Sequence, residues 1–528
     1  MPKLTIDNKK VQVAHGATIL DAADKLGIEI PTMCFLKGYK ASTSCMLCVV
    51  KVNGSNKLLP ACGTIAQEGM KVESDSDEIR QARKAALELL LSDHAGDCIG
   101  PCQAACPARM NIPLMIRQII AGNLRDAVIT VKQDIPLPAV LGRICPKPCE
   151  QVCRRTQLDK AVSICLLKRY VADIDLQSEK PYVPMRCKNR NKQVAIVGAG
   201  PAGLSAAYYL LTDGYSCTVF DDHESPGGML RYGVSQDKLP TDVLDAEIAL
   251  IEKLGMNLQG QTQIGSTLSM EKLQKDFDAV LIAIGQPKPG VAESMGLETS
   301  PNGIAINPRT YETNLPGVFA AGAAVRKSKL AVRAVADGKE AALAIGQFLT
   351  GQPVTGPPHV FNTRIGKLED NEIARFATDA GKAKRQTPQP EGAGFTDDQA
   401  KAEAARCLHC DCRKPDNCKL RQYAQQYGAK PGRYKGVRRS FYQHTQHTDI
   451  IYEPGKCINC GLCVQIAAQA GESLGLTFIG RGFDVRVAVP FDRSIAEGLK
   501  LTAKKCVEAC PTGALVFKSK NDGNHPCD

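Results

Sequence analysis

Twenty-three cysteines, gathered in short-spaced groups along 528 residues, constrain this chain more than any other feature. A disulfide framework suits a small secreted domain that cannot build a sufficient core. This chain is long and 44% apolar, and it opens Met-Pro-Lys-Leu-Thr-Ile-Asp with neither an apolar h-region nor a cleavage site. An odd cysteine count also forbids complete pairing within one chain. Grouped thiols in such a setting point to metal binding. No run reaches the roughly 18 apolar residues of a membrane helix, so a cytoplasmic chain without a membrane span is expected. The net charge is +11, with no Trp and no Lys/Arg run interleaved with aromatics. That pattern favours acidic protein partners or anionic cofactors over nucleic acid.

The length suits three or four domains at roughly 150 residues each. Composition and motif shifts divide the chain into residues 1–76, 77–185, 190–350, a Pro/Gly-rich and charged linker or wrap over 351–400, a short cysteine motif at 401–430, and 431–528. The expected class is multi-domain, α/β and α+β.

Cys34, Cys45, Cys48 and Cys62 follow the spacing C-x10-C-x2-C-x13-C. Three thiols from one loop and a fourth from a distant strand suit a [2Fe–2S] cluster. Structural zinc and unligated buried thiols are the alternatives. The segments Pro31-Thr-Met-Cys34, Ser44-Cys-Met-Leu-Cys48 and Pro60-Ala-Cys62 resemble the N-terminal domain of the complex I large iron–sulfur subunit and of iron-only hydrogenases. The resemblance implies a β-grasp ferredoxin fold.

The second group is Cys98-x3-Cys102-x3-Cys106-Pro107, then Cys145-Pro-Lys-Pro-Cys149-Glu-Gln-Val-Cys153, then Cys165. It resembles the N-terminal domain of the glutamate synthase small subunit, shared with dihydropyrimidine dehydrogenase, where helices hold two [4Fe–4S] clusters. Eight ligands are needed and seven cysteines are present. The family's early C-x2-C pair is replaced by His94-Ala-Gly-Asp-Cys98, which resembles the histidine-ligated opening in the complex I family. The resemblance implies His94, Cys98, Cys102 and Cys153 for one cluster, and Cys106, Cys145, Cys149 and Cys165 for the other. A surface histidine at a helix end is the alternative for His94.

Val194-Ala-Ile-Val-Gly198-Ala-Gly200-Pro201-Ala202-Gly203 reads as a strand, a glycine turn and a helix start, with Asp221 ending a second strand about twenty residues on. That register suits a dinucleotide, its pyrophosphate at the helix N-terminus and the acid on a ribose hydroxyl. Pro226-Gly-Gly228-Met229-Leu-Arg231 and Gly317-Val-Phe-Ala-Ala-Gly322 resemble the flavin-contacting segments of the glutamate synthase small subunit, which implies FAD. Two departures stand out. Only residues 286–316 separate the two flavin halves, too few for the family's inserted NADPH domain, and no second GxGxxG follows. The closing motif has Ala323 where the family places an acid.

Cys407, Cys410, Cys412 and Cys418 fall within twelve residues, suited to one [4Fe–4S] cluster, with a zinc knuckle as the alternative. Cys457-x2-Cys460-x2-Cys463 and Cys506-x3-Cys510-Pro resemble a two-cluster ferredoxin module that has lost three ligands of one cluster. Cys457, Cys460, Cys463 and Cys510 survive as one set. Cys187, Cys217, Cys506 and Cys527 are unassigned thiols.

The inventory expected is one [2Fe–2S] cluster, four [4Fe–4S] clusters and one FAD. No segment completes a substrate reaction. The resemblance implies an electron-transfer subunit between an FMN/NADH-binding subunit and a hydrogenase or formate dehydrogenase catalytic subunit, with ferredoxin as a further partner and a setting compatible with electron bifurcation. The alternatives are a self-sufficient FAD oxidoreductase and a flavin-free docking scaffold.

Overall fold

A computed structural model describes residues 1–54, 57–265, 267–390, 392–414, 416–434 and 436–518. The chain folds as two compact units. Among the described residues, the first comprises Met1–Ile99, Val360–Asp379 and residues 410–518; the second comprises Gly100–His359 and Ala380–His409.

The first unit opens with a five-stranded sheet, ordered Lys9–Gln12, Lys3–Ile6, Lys71–Glu73, Val49–Val52, Leu58–Pro60. Alternating apolar residues make one face, where Leu4, Ile6, Val50 and Val72 meet Ile19, Leu20, Ala22 and Ala23 of the helix Ile19–Lys25. Thr18 starts that helix through a reciprocal capping box with Asp21. Lys3–Ile6 runs parallel to Lys71–Glu73, so the helix-containing stretch crosses the sheet as in a β-grasp ferredoxin. After the helix Asp77–Ser92, the C-terminal part of the same unit pairs Ile450–Tyr452 antiparallel with Leu515–Phe517 and packs the helices Leu462–Gln469 and Ala503–Ala509 together.

The second unit begins with helices Ile112–Ile120, Leu124–Lys132, Pro138–Ile144 and Ile164–Gln177. Their apolar faces converge on Met115, Ile119, Val131, Leu141 and Leu167, with Cys106, Cys145, Cys149 and Cys165 in the same core. A five-stranded parallel sheet follows, ordered Val318–Ala320, Ala279–Ile282, Gln193–Val197, Ser216–Phe220, Asn257–Gln259. The central strand is apolar and buried over Val194–Val197, as a strand covered on both faces must be. The helices Pro201–Thr212 and Ala331–Leu349 pack against each other beside it. Between the two flavin halves lie a one-turn helix, Val291–Ser294, and a short hairpin, Thr299–Ser300 with Gly303–Ile304, and the described residues form no second parallel sheet.

The stretch read as a linker is divided between the units. Val360–Asp379 belongs to the first unit and carries the helix Asp370–Phe376; Ala380–His409 belongs to the second and carries Asp397–Ala404. No helix among the described residues is long and apolar enough to cross a membrane.

Candidate functional site

In the β-grasp part, left-handed backbone at Thr43 and Met46 turns the loop that carries three thiols. Cys34, Cys45, Cys48 and Cys62 are all buried, with 3.3 Å between the sulfurs of Cys48 and Cys62. The Cys45 amide donates to Cys34 Sγ at 3.4 Å. Hydrogen bonds from Cys45 and Cys62 pull the Cys34 thiol below its ordinary pKa, while pairing with Cys34 and burial push Cys45 and Cys62 up. Four buried sulfurs sharing protons in this way fit a cationic metal centre that takes thiolates.

In the C-terminal part, Cys457, Cys460, Cys463 and Cys510 line one cavity with Tyr452, Val487 and Leu515. Left-handed backbone at Asn459 and Gly461 curls the loop, and the Asn459 amide donates to Cys457 Sγ at 3.4 Å. Burial raises the Cys457 thiol to about 11 and raises Cys460 and Cys463 as well. A small apolar cavity lined by four thiols and crossed by an amide-to-sulfur bond fits a [4Fe–4S] cluster. Cys506 is buried, with its thiol toward the Cys463 carbonyl at 3.8 Å, and does not line this cavity.

A third group of thiols lies in the first unit. Cys98 packs on the apolar core that contains Cys418. Cys412 and Cys418 each feel the charge of Cys98, and burial pushes Cys418 up to about 12. Cys412 Sγ is so close to Gly513 that a Cβ there would come within 2.2 Å of it. The segment after Val360 straps the Cys98 loop down. Thr363 Oγ1 lies 3.3 Å from Cys98 Sγ and donates to the Gly96 carbonyl at 2.8 Å; Asn362 accepts from the Ile99 amide at 3.1 Å; Asp97 accepts from the Ile365 amide at 3.0 Å. The sequence reading put Cys98 with His94, Cys102 and Cys153, and Cys412 and Cys418 with Cys407 and Cys410. In the first unit Cys98 and Cys418 share one core and Cys412 feels the charge of Cys98, and in the second unit Cys102, Cys153 and Cys407 pack against the helical core. His94 lies in the first unit, where burial and the nearby Lys456 ammonium lower its pKa to about 4 and leave a neutral imidazole. Lys456 is buried and ion-paired to Glu453 at 2.5 Å.

In the helical part of the second unit, Cys106, Cys145, Cys149 and Cys165 share one core. Pairing with Cys165 and burial push the Cys145 thiol well above its ordinary pKa. Glu150 accepts from the Cys165 amide at 3.0 Å and is held by Arg385 at 2.7 Å. Burial raises the Cys106 thiol. One turn beyond Cys165, the buried side chain of Lys168 enters this group. Burial opposes its charge, but Cys165, Cys145, Cys106 and Cys149 outweigh that and hold its pKa above the ordinary lysine value. The sequence reading missed Lys168; its three-residue spacing from Cys165 on one helix was the available signal.

At the glycine turn, several backbones meet. A Cβ at Gly203 would lie 1.9 Å from the Gly198 carbonyl, at Gly228 2.9 Å from Gly200 Cα, and at Gly322 2.8 Å from Ala202 Cβ. Only glycine permits these approaches. A Cβ at Gly200 would instead meet open space, at the N-terminal end of the helix Pro201–Thr212. This open, amide-rich helix end fits a pyrophosphate. Three expected contacts are differently placed. The Asp221 carboxylate accepts from the Ala199 amide at 2.6 Å and the His223 amide at 2.9 Å, so it braces the turn itself. Arg231 is engaged by the Pro226 carbonyl at 2.7 Å and by Asp245. Met229 is exposed. Ala323 supplies no acid; the buried acid of the neighbouring helix, Asp337, is taken by Arg326 at 3.1 Å and by the Tyr311 hydroxyl at 3.1 Å, with burial raising it to about 6. Cys217 is a buried free thiol, Cys187 is disulfide-bonded rather than free, and Cys527 lies outside the described residues.

Four family models match along the chain. Residues 2–77 match a 2Fe-2S iron-sulfur cluster binding domain, and residues 78–180 match dihydropyrimidine dehydrogenase domain II, 4Fe-4S cluster. Residues 196–253 match an NAD(P)-binding Rossmann-like domain, and 251–338 a pyridine nucleotide-disulphide oxidoreductase domain. The chain is 39% identical over 207 residues to the NADPH-Fe(3+) oxidoreductase subunit beta of Geobacter sulfurreducens, covering 38% of this chain and 30% of that one. It is 38% identical over 206 residues to the NADP(+)-dependent formate dehydrogenase subunit beta of Moorella thermoacetica, covering 35% and 29%. It is 34% identical over 187 residues to the glutamate synthase [NADPH] small chain of Bacillus subtilis, covering 35% and 38%. The chain therefore matches well under two thirds of the length of these relatives. It joins 2Fe-2S and 4Fe-4S cluster domains to a Rossmann-like oxidoreductase domain, and its homologues include the formate dehydrogenase beta subunit and the glutamate synthase small chain.

Proposed function

We propose that this chain is a cytoplasmic electron-transfer subunit, carrying electrons between a partner NAD(P)H/FMN subunit and a partner catalytic subunit of the hydrogenase or formate dehydrogenase type. One observation carries the reading. Cys34 and Cys45 of the β-grasp site, Cys460 of the C-terminal site, Cys418 and Cys98 belong to one continuous apolar core. Thiol sets packed into a single core are arranged for carriage between centres, not for access by a substrate. When bound, the clusters supply one-electron carriage; the protein insulates them, and burial and bonds to sulfur set their potentials. The proposed sets are Cys34, Cys45, Cys48 and Cys62 for [2Fe–2S]; Cys457, Cys460, Cys463 and Cys510, and Cys106, Cys145, Cys149 and Cys165, each for one [4Fe–4S]. Two further [4Fe–4S] clusters draw on Cys98, Cys412 and Cys418, with His94 and Cys410 of the same unit as further donors, and on Cys102, Cys153 and Cys407. FAD lies at Gly198–Gly203. Chain purified anaerobically should hold about 18 irons with matching sulfide and one acid-extractable flavin. Iron at half that level, with zinc in its place, would sink the inventory.

A second reading, a flavin-free Rossmann unit, is favoured by Ala323 and by the engagement of Asp221 at Ala199 and His223. Absence of extractable flavin from cluster-replete chain would select it.

A further inference from the structure

We infer that the site of Cys457, Cys460, Cys463 and Cys510 meets its partner through a port at Phe478, and that the partner docking there is an acidic electron-carrier protein. The inference rests on the reading that these four thiols hold a [4Fe–4S] cluster. Gly461 belongs to the loop that lines the thiol cavity. A Cβ on it would lie 3.5 Å from Phe478 Cζ and 3.7 Å from Ser42 Oγ. Phe478 thus rests the tip of its ring on the cysteine loop, while 47% of it stays open to solvent. It stands on the strand Thr477–Ile479 opposite Val487, which is buried and lines the same cavity. Asn459 ties this hairpin to the loop, donating from Nδ2 to the Val485 carbonyl at 3.0 Å. Electron transfer falls off steeply with distance, so a ring that reaches from the cysteine loop to solvent marks where a partner's centre can come close.

The chemistry around the ring says what docks. A polar residue would serve an exposed strand position as well; here it is Phe, and the turn of the same hairpin adds Phe483, 55% exposed. Exposed aromatic anchors within a polar rim are the anatomy of a docking surface. Three segments meet at Gly461: residues 36–44, 457–463 and 477–488. They carry Lys37, Lys40, Arg481 and Arg486, all exposed, and one acid, Asp484; four cations against one acid leave a net +3. Gln465 holds residues 36–44 in place, accepting from the Lys40 amide at 3.0 Å and donating to the Lys40 carbonyl at 3.1 Å. An apolar centre within a positive rim fits a partner with an acidic rim, steered in by opposite charge. Once docked, one electron passes between the two centres: one is oxidised, the other reduced, and no bond or proton is exchanged.

The test is the affinity of the full, iron-replete chain for a purified acidic ferredoxin, by isothermal titration calorimetry at low and high salt, with iron measured on each variant. Arg481→Glu combined with Arg486→Glu should weaken binding about tenfold at low salt, and the difference should shrink at high salt. Phe478→Ser should weaken it at both. Lys9→Glu combined with Lys10→Glu makes the same charge change on the exposed edge strand Lys9–Gln12 and should leave affinity within about twofold. Three results each overturn the inference: unchanged affinity in the Arg481/Arg486 variant, an equal loss in the Lys9/Lys10 variant, or tighter binding of a basic cytochrome than of the ferredoxin. A parent chain that binds no ferredoxin overturns it too. If Phe478→Ser loses iron, the two charge variants decide. The reading beneath fails separately: a Cys460→Ser chain with unchanged iron content and spectra would remove the cluster, and the port with it.

Discussion

Two buried lysines stand beside cysteine groups in the two units, and they are neutralised differently. In the first unit, Lys456 faces Cys412 but is already paired with Glu453, so it brings little net charge to its site. In the second unit, Lys168 is buried one helical turn beyond Cys165 and forms no ion pair among the described residues. The same side chain is therefore ion-paired in one place and not in the other. Between two sites that hold the same type of cluster, the surrounding charge is what can make one easier to reduce than the other.

The largest expected effects break the comparison outright by removing a ligand. Cys460→Ser and Cys149→Ser should each delete one [4Fe–4S] signal and about four irons per chain, measured by iron analysis and resonance spectra. Next comes the regrouped set of the first unit. Cys98→Ser, Cys412→Ser and Cys418→Ser should alter one and the same signal; if Cys98→Ser acts on a signal that Cys412→Ser spares, the grouping is wrong. A smaller effect sharpens the comparison. Glu453→Gln should release Lys456 and raise the potential of the signal that Cys412→Ser removes, moving the first unit toward the situation at Lys168. A fall in that potential would contradict the charge account.

The smallest effect separates stability from potential. Glu372 touches no thiol but holds the strap segment, accepting from Arg438 at 2.6 Å and from the Phe441 amide at 2.7 Å. The Arg438 hydrogen bonds lower its pKa to about 2 against an ordinary 4.5. Its contribution is therefore complete above pH 4.5 and is lost as pH falls toward 2. Glu372→Gln should cost about 2 kcal/mol at neutral pH and flatten the acid side of a thermal-stability profile, while every cluster potential stays where it was.

Much of this was legible in the sequence because cluster ligands come in short local spacings. The Cys34–Cys62 loop and the Cys457–Cys463 run with Cys510 could be grouped by counting, and the strand–glycine–helix register gave the Rossmann turn. What counting could not give were contacts made only by the fold. Cys98 joins the core that holds Cys418, more than three hundred residues away, beside a strap at Asn362–Ile365 whose Pro/Gly-rich surroundings read as linker. Cys407 follows the helical core although it is three residues from Cys410, because the boundary between the units falls between them. Asp221 was read as a ribose ligand from its position at a strand end; its bond to Ala199 depends on how closely the turn folds back, which no spacing reports.

The central claim is that this chain carries electrons received from a partner and has no nicotinamide entry of its own. Anaerobic mixing of the isolated, cluster-replete chain with NADH, NADPH and dithionite, followed by optical bleaching, tests it most directly. The account predicts full bleaching by dithionite and none by either nucleotide until a partner flavoprotein is added. Rapid bleaching by NADH or NADPH alone would contradict it and make the chain an oxidoreductase in its own right.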